Sequence, residues 1–176
     1  YGEYSQSPAV EYCKLLASLL PQPLEKTYLV NSGTEATEGA LKLARRVTGR
    51  SQLISCYNAY HGNTMGSMSV MGFEERKQIF GPLVPDVDFI TFNNEADIQK
   101  ITTKTAGIIL ESIQGGAGFI QPENDFLLKV RQRCDEVGSL LLIDEIQPGF
   151  GRTGKLFGFQ NYNIVPDVVI LGKGMG

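Results

Sequence analysis

Histidine occurs once in this chain, as His61, and cysteine only three times. A single histidine leaves no His pair to hold a metal and no Ser-His-Asp set, so no metal site is expected. Cys13, Cys56 and Cys134 are scattered and odd in number. They suit neither a disulfide framework nor a CxxC metal site, and read as buried, reduced thiols of a cytosolic protein. No apolar run approaches the roughly 20 residues that span a bilayer, and nothing resembles a signal peptide. A cytoplasmic location without a membrane partner is expected. An excess of positive charge is missing too: 16 Lys and Arg face 19 Asp and Glu, a net charge of −3. That balance argues against a nucleic-acid partner held by phosphate neutralisation.

What is present is a chain of 176 residues with 42% apolar content, enough for one domain with a sizeable core. Its 20 glycines lie between apolar runs and mark turns and close backbone approaches. The chain opens without Met on Tyr1-Gly2-Glu3-Tyr4 and stops at Gly172-Lys173-Gly174-Met175-Gly176. It reads as a piece of a longer protein.

Helical spacing covers residues 8–20 and ends at Pro21. The short run 27–31 (TYLVN) is β-branched and aromatic, which predicts a strand. A helix follows over 35–47, a strand over 53–57, and one or two short helices within 63–80. Then come strand 87–92, helix 95–103, strand 107–111, helix 125–136, strand 139–144 and strand 167–171. Most of these strands are nearly continuous apolar runs, as in a parallel sheet covered on both faces. The fold class is therefore α/β, a three-layer, mostly parallel sheet covered by helices.

Polar groups gather where the strands end. TYLVN leads into Ser32-Gly33-Thr34, and LISCY into Tyr60-His61-Gly62. GIIL ends in Glu111, SLLLI ends in Asp144, and DVVIL precedes Gly172-Lys173. Open α/β sheets bind ligands at that edge. Ser32-Gly33-Thr34-Glu35 fits a capping box and fits equally a phosphate cradle at a helix N-terminus. Asp144, after an apolar strand, needs a partner, and a structural ion pair with Arg152 would supply one. Lys173 is either solvated or a desolvated amine nucleophile. Anion cradle, buried acid and amine together match what pyridoxal phosphate requires, and Tyr60 offers an aromatic face.

These segments resemble the class III pyridoxal-phosphate-dependent aminotransferases, the family of acetylornithine, ornithine and 4-aminobutyrate aminotransferases. The likeness covers nearly all of the chain. Asn31-Ser32-Gly33-Thr34-Glu35-Ala36 resembles the phosphate-binding turn and implies that Ser32, Gly33 and Thr34 cradle the phosphate, Gly33 and Thr34 through backbone N–H groups. Ala59-Tyr60-His61-Gly62 resembles the ring-stacking segment, with Tyr60 on the ring and His61 close by in a hydrogen-bonding role. Glu111-Ser112-Ile113-Gln114-Gly115 is similar to the family's EPxQG stretch, with Ser112 for Pro, and brings Glu111 to the site. Asp144-Glu145-Ile146-Gln147 resembles the acid motif. It implies Asp144 on the pyridine nitrogen, Ile146 on the ring and Gln147 on the phenolic oxygen. Leu171-Gly172-Lys173-Gly174 resembles the Schiff-base segment.

The resemblance implies residues 1–176 of a fold-type I large domain, lacking an amino-terminal segment and a small domain. It further implies a homodimer and transfer of an amino group from an amine donor to a 2-oxo acid acceptor, with Lys173 and Asp144 catalytic. Two departures stand out. Asn63 replaces a frequent Arg, a change expected to be minor. Gly116 replaces a Glu that is thought to mask a substrate-binding arginine in the ornithine-type enzymes. Arg152 is expected to be a structural ion-pair partner. Other reactions on the same cofactor (aminomutase, racemase or decarboxylase) and a non-catalytic module of the same fold are the alternatives.

Overall fold

The computed structural model describes residues 5–175. Helix α1 (Ser7–Leu19) starts with Pro8 in its first turn, where a missing N–H is harmless. Helix α2 (Gly33–Thr48) begins at the Ser32 cap and ends on Gly49, which takes the left-handed conformation with φ 69°. Strand β1 (Gln52–Cys56) leads to the short helices α3 (Met65–Ser69) and α4 (Glu74–Lys77), then to strand β2 (Val87–Ile90). Strand β3 (Thr105–Glu111), helix α5 (Phe126–Val137), strand β4 (Leu140–Asp144) and strand β5 (Val168–Ile170) complete the order.

The strands form one sheet in the order β2-β1-β3-β4-β5, parallel at every junction. Side-chain alternation splits the core into two layers. Leu53, Ile109, Leu142 and Ile170 face Ala40, Leu41 and Ala44 of α2. Ile54, Ile108, Leu110, Leu141 and Ile143 face the other way, onto Leu16 of α1 and Phe126, Val130 and Cys134 of α5. Gly107 lets α2 approach closely, since a β-carbon there would lie 3.1 Å from Ala44 Cβ. Helices thus cover both faces, as the apolar strands imply.

Residues 27–31 do not form a strand. They pair with no strand among the described residues, and leave Tyr28 79% exposed with its ring against Gly39 of α2. A β-branched, aromatic composition suits any extended backbone, and a ladder also needs a free neighbouring edge. The helix expected over 95–103 is a 3-10 helix limited to Glu95–Lys100, capped by the Asn94 side chain. Cys56 and Cys134 are buried, and burial raises both thiols, Cys134 to about 12. Cys13 is only half-buried, because it lies on the partly exposed face of α1.

At the edge opposite the strand ends, Arg50 Nη1 donates to the carbonyls of Thr105, Val137 and Gly138 at 3.0, 3.0 and 2.9 Å. One guanidinium thereby ties the start of β3 to the end of α5. Arg50→Ala is expected to lower the free energy of unfolding by about 2 kcal/mol, the scale of a few partly buried charge-assisted hydrogen bonds. Urea denaturation of the intact protein checks this, and an unchanged midpoint refutes it.

Candidate functional site

Strands β3 and β4 run in register to their ends, so Glu111 pairs with Asp144 across the ladder. Asp144 is 3% exposed and His61 1%. The Asp144 carboxylate accepts from the Ile146 N–H at 2.9 Å through Oδ1, and its Oδ2 lies 2.8 Å from His61 Nδ1. The partner of Asp144 is therefore His61, and Arg152 makes no ion pair among the described residues. Arg152 instead lines an open cleft beside Lys173. It lies in a turn whose Gly151 and Gly154 both adopt positive φ, which carries it clear of Asp144. His61 Nε2 is buried without a partner among the described residues.

Two more carboxylates lie at this level. Glu111 accepts from the Tyr60 N–H at 3.3 Å and the Gly115 N–H at 3.2 Å. Burial raises its pKa first of all; His61 pulls it back, and Asp144 pushes it further up. Glu145 accepts from the N–H groups of Gly158 and Phe159 at 2.7 and 2.8 Å, and burial is again the main force raising its pKa.

Ser32 caps α2, its hydroxyl accepting from the Glu35 N–H at 3.2 Å. The Glu35 carboxylate reaches the Asn31 N–H at 2.7 Å, one residue earlier than a capping box requires. Gly33 and Thr34, the first two helical residues, have N–H groups with no carbonyl inside the helix to bond. Thr34 Oγ1 lies 2.6 Å from Ser67 Oγ and 2.8 Å from Thr64 Oγ1. Gly62 passes so close, with φ 130°, that a β-carbon there would lie 2.3 Å from Thr34 Oγ1.

Lys173 Nζ donates to Gln147 Oε1 at 3.1 Å, from a backbone with φ 44°. Both side chains line the cleft, of about 460 Å³, with Ile113, Phe119 and Thr153. Ile146 packs between the start of α2 and Gly172, since β-carbons at Gly33 and Gly172 would lie 2.8 and 3.3 Å from it. The structure thus gathers Gly33, His61, Asp144, Ile146, Gln147 and Lys173 through direct contacts. Glu111 joins them through the ladder and the Tyr60 backbone. Tyr60 itself is partly exposed, with its Cβ beside Gly116.

The sequence reading passed over Glu38, Thr64 and Ser67. Their signal is faint: Glu38 falls one helical turn after Thr34, and Thr64 and Ser67 have N-cap spacing. The donor set suits pyridoxal phosphate. It offers free N–H groups at a helix start, a buried carboxylate with lone pairs to spare, and an amine on a cleft.

The class III aminotransferase family model matches residues 1–176. The chain is 46% identical over 166 residues to a [LysW]-aminoadipate semialdehyde/glutamate semialdehyde transaminase of Sulfolobus acidocaldarius, covering 94% of this chain and 43% of that protein. It is 41% identical to an acetylornithine aminotransferase of Methanopyrus kandleri, covering 98% and 45%. It superposes with a TM-score of 0.85, at 27% identity over 96% of this chain and 42% of the other, on an ornithine aminotransferase from Toxoplasma gondii described with partial occupancy of PLP at its active site. The chain spans less than half the length of these proteins.

The raised pKa of Glu111 has a signed consequence. A carboxyl that titrates higher when folded stabilises below its unfolded value and loses that contribution as pH rises through the folded value. Stability should therefore fall as pH rises above 4.5 on account of Glu111. Glu111→Gln should flatten that fall, as read from thermal unfolding across the acid-to-neutral range. Superimposable profiles for variant and wild type would falsify this assignment.

Proposed function

The chain belongs to the class III aminotransferase family, and on that premise we propose that it is the cofactor-binding large domain of a pyridoxal-phosphate-dependent aminotransferase. The observation that carries this reading is the reach of one segment, residues 144–147. Asp144 meets His61, Ile146 packs against the start of α2, and Gln147 holds the Lys173 amine. Acid, anion cradle and amine are thereby fixed to one another.

Pyridoxal phosphate, when bound, supplies an aldehyde and an electron sink. The N–H groups of Gly33 and Thr34, with the Ser32 and Thr34 hydroxyls, receive its phosphate at the positive end of α2. Asp144 would hold a proton on the pyridine nitrogen, with His61 fixing the direction in which that carboxylate points. Tyr60 and Ile146 would hold the ring between them, and Gln147 would meet the phenolic oxygen. Glu111 keeps the Tyr60 backbone in place. Lys173 Nζ would be the amine that holds the cofactor aldehyde and, once released, the base and acid that carries the proton from the substrate carbon to the cofactor carbon. The donor is an amino acid or ω-amine, the acceptor a 2-oxo acid, and the working form a cytoplasmic homodimer. The names carried by the relatives, all transaminases, support the reaction class.

The test is chemical. Borohydride treatment of the intact protein with pyridoxal phosphate should attach the cofactor irreversibly to Lys173. Attachment to Lys42 or Lys155 sinks the assignment. Lys173→Ala should retain the cofactor through its phosphate and ring contacts, yet turn over no substrate.

Position 116 is expected to set the donor. A β-carbon on Gly116 would lie 3.4 Å from the Phe73 ring and 3.6 Å from Tyr60 Cβ, so a side chain fits there in ordinary contact. The Arg76 guanidinium stacks 4.4 Å above that same Phe73 ring. With glycine, no carboxylate masks a substrate-binding arginine, and donors bearing a second carboxylate are favoured. Gly116→Glu should shift kcat/KM from glutamate-like towards ornithine-like donors. If the ratio stays put or moves towards glutamate, Gly116 merely shapes its loop.

A further inference from the structure

The hydroxyls beside the start of α2 are held by an acid that the proposed mechanism does not use. Glu38 Oε1 accepts from Thr64 Oγ1 at 2.5 Å, from the Gly66 N–H at 2.8 Å and from the Ser67 N–H at 3.0 Å. The fit leaves no slack: a β-carbon on Gly66 would lie 2.1 Å from the other Glu38 oxygen. Glu38 stands one turn beyond Thr34 on α2, and three donors from the 64–67 segment converge on it. Taking the chain's reading as a phosphate-binding aminotransferase domain as given, we propose that Glu38 is a positioning residue for phosphate recognition, acting through Thr64 and Ser67 on the Thr34 hydroxyl.

Counting protons gives the arrangement a direction. A carboxylate only accepts, so the Thr64 hydroxyl proton is committed to Glu38. Ser67 Oγ, 2.6 Å from Thr34 Oγ1, donates to the Thr64 carbonyl at 3.1 Å, and the Thr64 N–H donates to Thr34 Oγ1 at 3.3 Å. Thr34 accepts from the Thr64 N–H, beside Ser67 Oγ, and can turn its own proton outward, towards an anion at the free Gly33 and Thr34 N–H groups. A negative side chain so near an anion site is tolerable because three donors already meet it, two of them N–H groups at the start of α3. Without Glu38 the 64–67 segment loses three of its hydrogen bonds to α2 and hangs on Thr34 alone among those described. Thr34 then loses the fixed neighbour that sets its hydroxyl.

The experiment compares pyridoxal 5′-phosphate with pyridoxal, which has the same ring and aldehyde but no phosphate. Equilibrium affinities of the intact protein for each are measured by absorbance, and the ratio is the readout. In wild type the phosphorylated form should bind far more tightly. Glu38→Ala should shrink the ratio about tenfold, the scale of one well-placed charge-assisted hydrogen bond, with pyridoxal affinity nearly unchanged. Glu38→Gln, which keeps an acceptor oxygen at the same reach, should restore most of the ratio. If Glu38→Ala fails to fold, the near-isosteric Thr64→Val breaks the same link and should shrink the ratio likewise. Equal weakening of both compounds, or an unchanged ratio in a folded variant, overturns the proposal while leaving the aminotransferase reading intact. A wild type that traps neither compound on Lys173 overturns that reading, and this proposal with it.

Discussion

A carboxylate removed from water must find donors, and three of them sit buried at the ends of β3 and β4. Glu111, Asp144 and Glu145 meet this need with five backbone N–H groups from the surrounding loops and one imidazole. Each acid therefore fixes a loop. Glu111 ties the Tyr60 segment to the Gly115 turn, Asp144 sets the direction of the 145–147 segment, and Glu145 anchors the return at Gly158 and Phe159. The loops are short of regular structure yet well placed, because the strand ends beneath them are rigid. A site built on such loops inherits the precision of the sheet.

That dependence also explains which features can be read from sequence. Strands β1, β3 and β4 are buried almost throughout, and that burial leaves the nearly continuous apolar runs that mark them in the sequence. The acids and the lysine stand out because they interrupt or follow those runs. The segment 27–31 misleads for the converse reason. Its residues favour extended backbone, and nothing local records whether a partner strand exists. The Asp144 partner could not be read either: His61 and Arg152 are both plausible by charge, and only the path of the 57–62 loop over β4 selects His61. Glu38, Thr64 and Ser67 are ordinary surface residues in the sequence. Their meaning lies in a contact between α2 and α3 that no spacing encodes.

Electrostatically the site is uneven in a way that suits its proposed work. The acids are buried and hydrogen-bonded, whereas the Lys173 amine lies on an open cleft with a single neutral partner, Gln147. A buried, tethered carboxylate keeps one orientation and resists water. An amine with one weak hold can swing, which a group that must bond, release and carry a proton requires.

The backbone around Lys173 supplies the last constraint. A β-carbon at Gly172 would press on Ile146 at 3.3 Å and lie 3.5 Å from Gly33 Cα, and one at Gly174 would lie 2.9 Å from Phe150 Cβ. The chain here threads between the start of α2 on one side and the Phe150 loop on the other, closely enough that a side chain at either glycine would make its neighbours shift. Lys173 itself takes φ 44°, a conformation a lysine adopts at some cost. Two glycines and one strained residue thus leave a single side chain free to project from this stretch, and the geometry aims it at Gln147. The triplet Gly172-Lys173-Gly174 is in this sense a steric requirement of the strand's exit from the sheet, with the amine set on the cleft beside Gln147.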